Sequence, residues 1–100
     1  FGFLAVVRAD STDANAATAF LNQLRQQLGA AIDGSTTKLI GPMPALMERR
    51  AGRHRAQLML HTRSRKTLHR AAASAIEVAE TIKAPSALRW SVDVDPLEII

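Results

Sequence analysis

Apolar residues along this chain switch between two periods, and the switches come in a fixed order. Phe1 to Arg8 is a near-continuous apolar run rich in Phe and Val, as expected of a strand central in its sheet. From Ala14 to Ile32, Phe20, Leu24, Leu28 and Ile32 recur every four residues with Ala17 and Leu21 beside them, the stripe of an amphipathic helix. Ser11, Thr12 or Asp13 is expected to cap its start, and Asp33-Gly34 to end it. Thr36 to Ile40 is a second strand, and Pro42 and Pro44 then predict a rigid, extended loop. In Arg53 to Thr62, Ala56, Leu58 and Leu60 alternate with Arg55, Gln57, Met59 and His61, which predicts a third strand with a core face and an open face. Ser64 to Lys83 is a second helix whose stripe is Leu68, Ala72, Ala75, Ala79 and Ile82, stopped by Ala84-Pro85-Ser86. Leu88, Trp90, Val92 and Val94 alternate with polar residues in a fourth strand that Pro96 closes.

The resulting order, β-α-β-β-α-β, is that of the split βαβ or ferredoxin-like arrangement. It predicts an α+β fold with a four-stranded antiparallel sheet and both helices on one face. Residues 1–100 are read as a single domain. The first residues look like a strand entered in mid-chain, so the sequence is read as a piece of a longer, cytosolic protein. No apolar run approaches the ~20 residues of a membrane-spanning helix.

Charge is the second organising feature. Arg49, Arg50, Arg53, Arg55, Arg63, Arg65, Lys66 and Arg70 make up eight of the thirteen Lys and Arg residues, with Glu48 before them and no acid among them. The net charge is +4 and the pI about 10.7, which favours anionic partners. A basic loop fused to a buried strand holds its cations at fixed positions, as a polyanion such as nucleic acid requires. The competing reading is a solvated face. Arg65 and Lys66 also open a helix, where cations oppose the dipole, and acceptance of that cost points to a partner.

Other chemistries find little support. Without cysteine there is no disulfide scaffold, zinc knuckle or thiol nucleophile. His54, His61 and His69 lack the spacing of a metal site. Asp93 and Asp95 share a strand face, where ion pairs with Arg53 and Arg55 are expected in preference to acid–base catalysis. Ser64 and Ser91 have no evident base, and neither a Walker A motif nor G-x-G-x-x-G is present. An RNA-reading sheet would need aromatic rings on its open face, but Trp90 shares its face with the core residues Val92 and Val94.

Two segments carry a family resemblance. Gly41 to Leu60 contains Gly41, Pro42, Pro44 and Ala45, then Gly52, Arg53, Arg55, Gln57, Leu58 and Leu60. Arg89 to Pro96 contains Arg89, Trp90, Asp93, Val94, Asp95 and Pro96. Together they resemble the pattern G-P-x-P-A, a basic spacer, G-R-x-R-x-Q-L-L-L and a closing R-W-x-x-D-V-D-P of the C-terminal domain of primosomal protein N′, a family of bacterial replication-restart helicases. Met59 departs from the pattern's Leu, a conservative exchange. The resemblance implies a fold like that of a ribosomal small-subunit protein and a contribution to DNA binding. It implies a parent that is an ATP-dependent 3′–5′ helicase, cytoplasmic and nucleoid-associated, which recognises stalled forks and D-loops. ATP, magnesium and zinc would belong to the parent's other domains, and no cofactor or catalytic residue to this one. Single-strand-binding protein and primosome proteins are implied partners. Two readings follow: a DNA-binding domain, or a docking module for the helicase core, other primosome proteins or the acidic tail of single-strand-binding protein, with Met59 or Met47 as its apolar floor. Arg49, Arg50, Arg63, Arg65 and Lys66 lie outside the matched positions and are the first candidates for DNA.

Overall fold

The structure, a computed structural model, describes residues 2–50 and 52–94, with residues 46–50 as backbone. The elements run β1 (Phe3–Ser11), α1 (Ala16–Ala31), β2 (Thr37–Arg50), β3 (Arg53–Thr62), α2 (Arg65–Thr81) and β4 (Arg89–Val94). The strands form one antiparallel sheet in the order β2-β3-β1-β4. This is the ferredoxin-like order expected from the periodicities.

Register explains which face is buried. Leu39, Leu60, Ala5 and Val94 lie in one cross-sheet row, and Leu58, Val7 and Val92 in the next. These residues pack with Leu21, Leu24 and Leu28 of α1 and Leu68, Ala75 and Ala79 of α2. Both helices therefore cover the same face. The alanines of α2 let its backbone approach the sheet closely. A fully buried leucine such as Leu24 or Leu58 contributes about 1.5–3 kcal/mol. Trp90 belongs to this core, stacked on Phe20 at 6.2 Å between centroids.

Three boundaries differ from expectation. β1 continues through Asp10 and Ser11, read from sequence as turn and cap. Asp10 is held there by two arginines, and Ser11 is buried with its hydroxyl accepting the Asp13 N–H. The cap of α1 is Asn15, which makes no side-chain capping bond. Third, β2 runs through Pro42 and Pro44 instead of giving way to a loop. An edge strand tolerates prolines because one side of its ladder is unpaired. Register shifts between Ile40 and Met43 and between Pro44 and Arg49 accommodate them, and the Gly41–Pro42 bond is cis. The Arg25 guanidinium donates to the Leu39 and Gly41 carbonyls, tying α1 to this irregular edge.

Two glycines sit at positive φ for different reasons. Gly52, at φ +76°, closes the β2–β3 turn, and an added Cβ would meet nothing within 4 Å among the described residues. Gly41, at φ +105°, lies where a Cβ would come 3.0 Å from the Gln57 carbonyl and 3.1 Å from the Met43 nitrogen. Gly52→Ala should cost about 1 kcal/mol for backbone strain alone. Gly41→Ala should cost about 2–3 kcal/mol, because crowding of backbone atoms adds to the same strain. Denaturant midpoints of the two variants check the order, and equal losses would show that the edge relaxes around Gly41.

Candidate nucleic-acid interface

The basic run is contiguous in sequence but not in space. β3 spans ten residues, Arg53–Thr62. At ~3.3 Å per residue this is roughly 30 Å, comparable with the longest dimension of the fold, 36 Å. The cations before β3 therefore stand at one pole of the domain, and those after it at the other.

At the turn pole, Arg49 pairs in register with His54 and Arg50 with Arg53. Arg53 turns inward. Its Nε donates to Asp10 Oδ1 at 2.5 Å, and its Nη2 donates to the Asp10 and Ala87 carbonyl oxygens. Arg89 Nε donates to the same carboxylate oxygen at 3.0 Å. One arginine thus fastens the end of β1 to the loop before β4. The expected pairing of Arg53 with Asp93 is corrected in its partners. β1 lies between β3 and β4, so Asp93 meets Arg8 at 2.9 Å and Arg53 meets Asp10. Arg55 is half-buried on the face away from the helices. Asp95 lies outside the described residues.

Asp10 carries a pH signature. Burial raises its pKa, but hydrogen bonds and charge from Arg53 and Arg89 outweigh this and hold it below the ordinary carboxylate range. A folded-state pKa below the unfolded value stabilises above about pH 4, and the contribution is lost as pH falls through the folded pKa. Asp10→Asn should therefore flatten the acid limb of stability below about pH 4, as read by thermal melts from pH 2 to 7. An unchanged acid limb would assign acid sensitivity to other carboxylates.

At the helix pole, Arg63, Arg65, Lys66 and Arg70 are exposed. Ser64 caps α2, its hydroxyl accepting the Thr67 N–H at 3.1 Å. No acid stands in the first turn of α2 and no base in the last, so its charges oppose its dipole at the start without compensation at the end. The Arg65 guanidinium lies 5.2 Å from the centre of the Phe3 ring. Lys38 joins this pole because it pairs in register with His61. Sequence reading missed Lys38, since only strand pairing brings it there. A cleft of about 570 Å³ opens here between the α1–β2 loop and the start of α2, lined among others by Thr37, Lys38, His61, Arg63 and Thr67.

The open sheet face is less open than alternation implies. Gln57 is only 4% exposed, between Arg8 and Met43 in register, and its side-chain oxygen has no hydrogen-bond partner among the described residues. Val6 is fully buried on the same face beside Met59. The described β1, β3 and β4 residues of this face include no Phe, Tyr or Trp, so no platform for stacking bases is present among them. His54 and His61 mark opposite ends of β3 and His69 lies on α2; no group of three metal-ligating side chains comes together among the described residues.

Comparison with known proteins gives one family. The family model described as "Primosomal protein N C-terminal domain" matches residues 1–97. Solved structures share the fold at low identity. An amidase of the hydantoinase/carbamoylase family from Burkholderia phymatum is 12% identical with a TM-score of 0.58, over 93% of this chain and 28% of that one. A de novo designed protein, Foldit4, is 5% identical with a TM-score of 0.53, over 92% and 96% of the two chains. A dimeric ferredoxin-like protein from an uncultured marine organism is 18% identical with a TM-score of 0.54, over 100% and 99%.

Proposed function

The chain belongs to the primosomal protein N C-terminal domain family, and on that premise we propose that it is a non-catalytic DNA-binding domain of a replication-restart helicase. The observation carrying this reading is the helix pole. Arg63, Lys66 and Arg70 are exposed, make no ion pair with a described carboxylate and lie just before or within the first two turns of α2. Cations so held meet phosphates without reading bases, which suits recognition of fork or D-loop shape. Arg49 and Arg50, at the opposite pole, would touch a second arm or a second stretch of backbone. ATP hydrolysis, 3′–5′ translocation, magnesium and zinc would be supplied by other domains of a cytoplasmic parent.

The second reading is a docking site for the acidic tail of single-strand-binding protein. It is favoured by Met59, half-buried on the open face beside Val6 and Ile40 in register. Amide chemical-shift mapping separates the two. Fork DNA is expected to shift residues 63–70, and an acidic tail peptide to leave them unmoved. Shifts there with peptide and none with DNA would transfer the site to the second reading.

A further inference from the structure

We propose that the exposed face of α2 pairs with the same face of a second copy of the domain, the two helices running antiparallel about Ala73. The proposal goes beyond the DNA-binding reading and does not rest on it.

Three rows of residues run along this face at i, i+7 spacing, which returns a side chain to almost the same bearing after two turns. Lys66, Ala73 and Glu80 form the middle row, Arg70 and Glu77 one flank, and His69 and Ile76 the other; all of them are exposed. Among the described residues, Ile76 is the large apolar side chain left open, at 40%.

The charges on this face stand where their own helix disfavours them. Ala73 is the midpoint of the 17-residue helix. Lys66 and Arg70 precede it and Glu77 and Glu80 follow it, with Lys66 in the first turn and Glu80 in the last. Cations at a helix start and acids at its end both oppose the dipole. Nothing in the chain offsets this, since Lys66, Arg70, Glu77 and Glu80 make no ion pair among the described residues. Lys83 comes only after the extended Ile82, beyond the helix. A helix running the other way supplies what is missing.

A two-fold axis across Ala73 reverses each row and keeps its flank, so every row faces its own copy. Lys66 then meets Glu80 of the second copy and Arg70 meets Glu77 of the second copy, each pair occurring twice. Ile76 packs on the imidazole of His69 from the other helix. Ala73 meets its own copy, and its small side chain lets the helix axes approach to ~8 Å. A parallel arrangement in register would set like charges together instead. One helix face about 25 Å long buries less than a standard interface, so the pair is weak, with a dissociation constant on the order of 0.1 mM. Pairing covers Lys66 and Arg70, so a paired domain withholds two of the cations proposed for DNA.

Sedimentation equilibrium of the 100-residue chain from about 10 µM to 1 mM tests the pairing. The mean mass should climb from 10.8 kDa towards twice that value. Lys66→Glu and Glu80→Lys should each weaken association roughly tenfold or more, because each sets like charges together twice. The double variant restores opposite signs and should recover most of the loss. Each single exchange also puts the favoured charge at its helix end. The melting temperature should therefore hold or rise, which separates lost association from lost fold. Ala73→Gln should abolish pairing by holding the helices apart. A mass fixed at 10.8 kDa throughout, or a double variant that associates no better than either single one, would overturn the proposal.

Discussion

Replacing Arg53 by alanine is expected to destabilise the domain by about 2–3 kcal/mol and to lower its melting temperature by roughly 10–20 °C. Arg53 joins the end of β1 to the loop before β4 through the Asp10 carboxylate and two backbone carbonyls. Its side chain is 18% exposed and that of Asp10 24%. Removing one member of such a partly buried pair strands the other, at about 3–5 kcal/mol when burial is complete. The lower figure applies because Arg89 still reaches the Asp10 carboxylate. Arg53→Lys should recover only part of the loss, since an ammonium cannot span both partners as the guanidinium fork does. DNA affinity of the folded fraction should be unchanged. Thermal melts and a fork-binding titration on each variant check both statements. A stable Arg53→Ala domain with weakened DNA binding would reverse the assignment of Arg53 from structure to interface.

Neutralising Arg63, Lys66 and Arg70 together to glutamine should do the opposite. Fork-DNA affinity is expected to fall on the order of 10–100-fold at low salt, with the salt slope reduced by about 0.9 for each phosphate no longer neutralised. Stability should stay within about 0.5 kcal/mol, because these side chains are exposed. It should lean upward, because cations near the start of α2 oppose the dipole by a few tenths of a kcal/mol. Unaltered affinity would mean that the helix pole is a solvated face.

Sequence made the architecture legible wherever period and burial agree. Leu58 and Leu60 alternate cleanly, Phe20 to Leu28 repeat at the helical spacing, and both sets form the core. It failed where long-range pairing decides. Prolines 42 and 44 read as a loop because nothing local says that β2 is an edge. Asp10 read as a turn residue because the arginines that hold it stand 43 and 79 residues away. The candidate interface was visible as a charge run, but not its division. The length of β3 puts half of that run at the far end of the domain, and the Lys38–His61 pairing brings in a lysine from outside it. The motif arginine Arg53 looked open to structural or binding use, and only the fold shows its guanidinium held on Asp10 and the Ala87 carbonyl.

The central claim is that fixed cations of this domain meet nucleic-acid phosphates. Fork-DNA affinity of the chain, measured from about 50 to 200 mM salt, tests it most directly. The account predicts that log K falls linearly with log salt, with a slope of about −3 or steeper from Arg63, Lys66 and Arg70 and their neighbours. A flat plot, or no binding at the lowest salt, would contradict it.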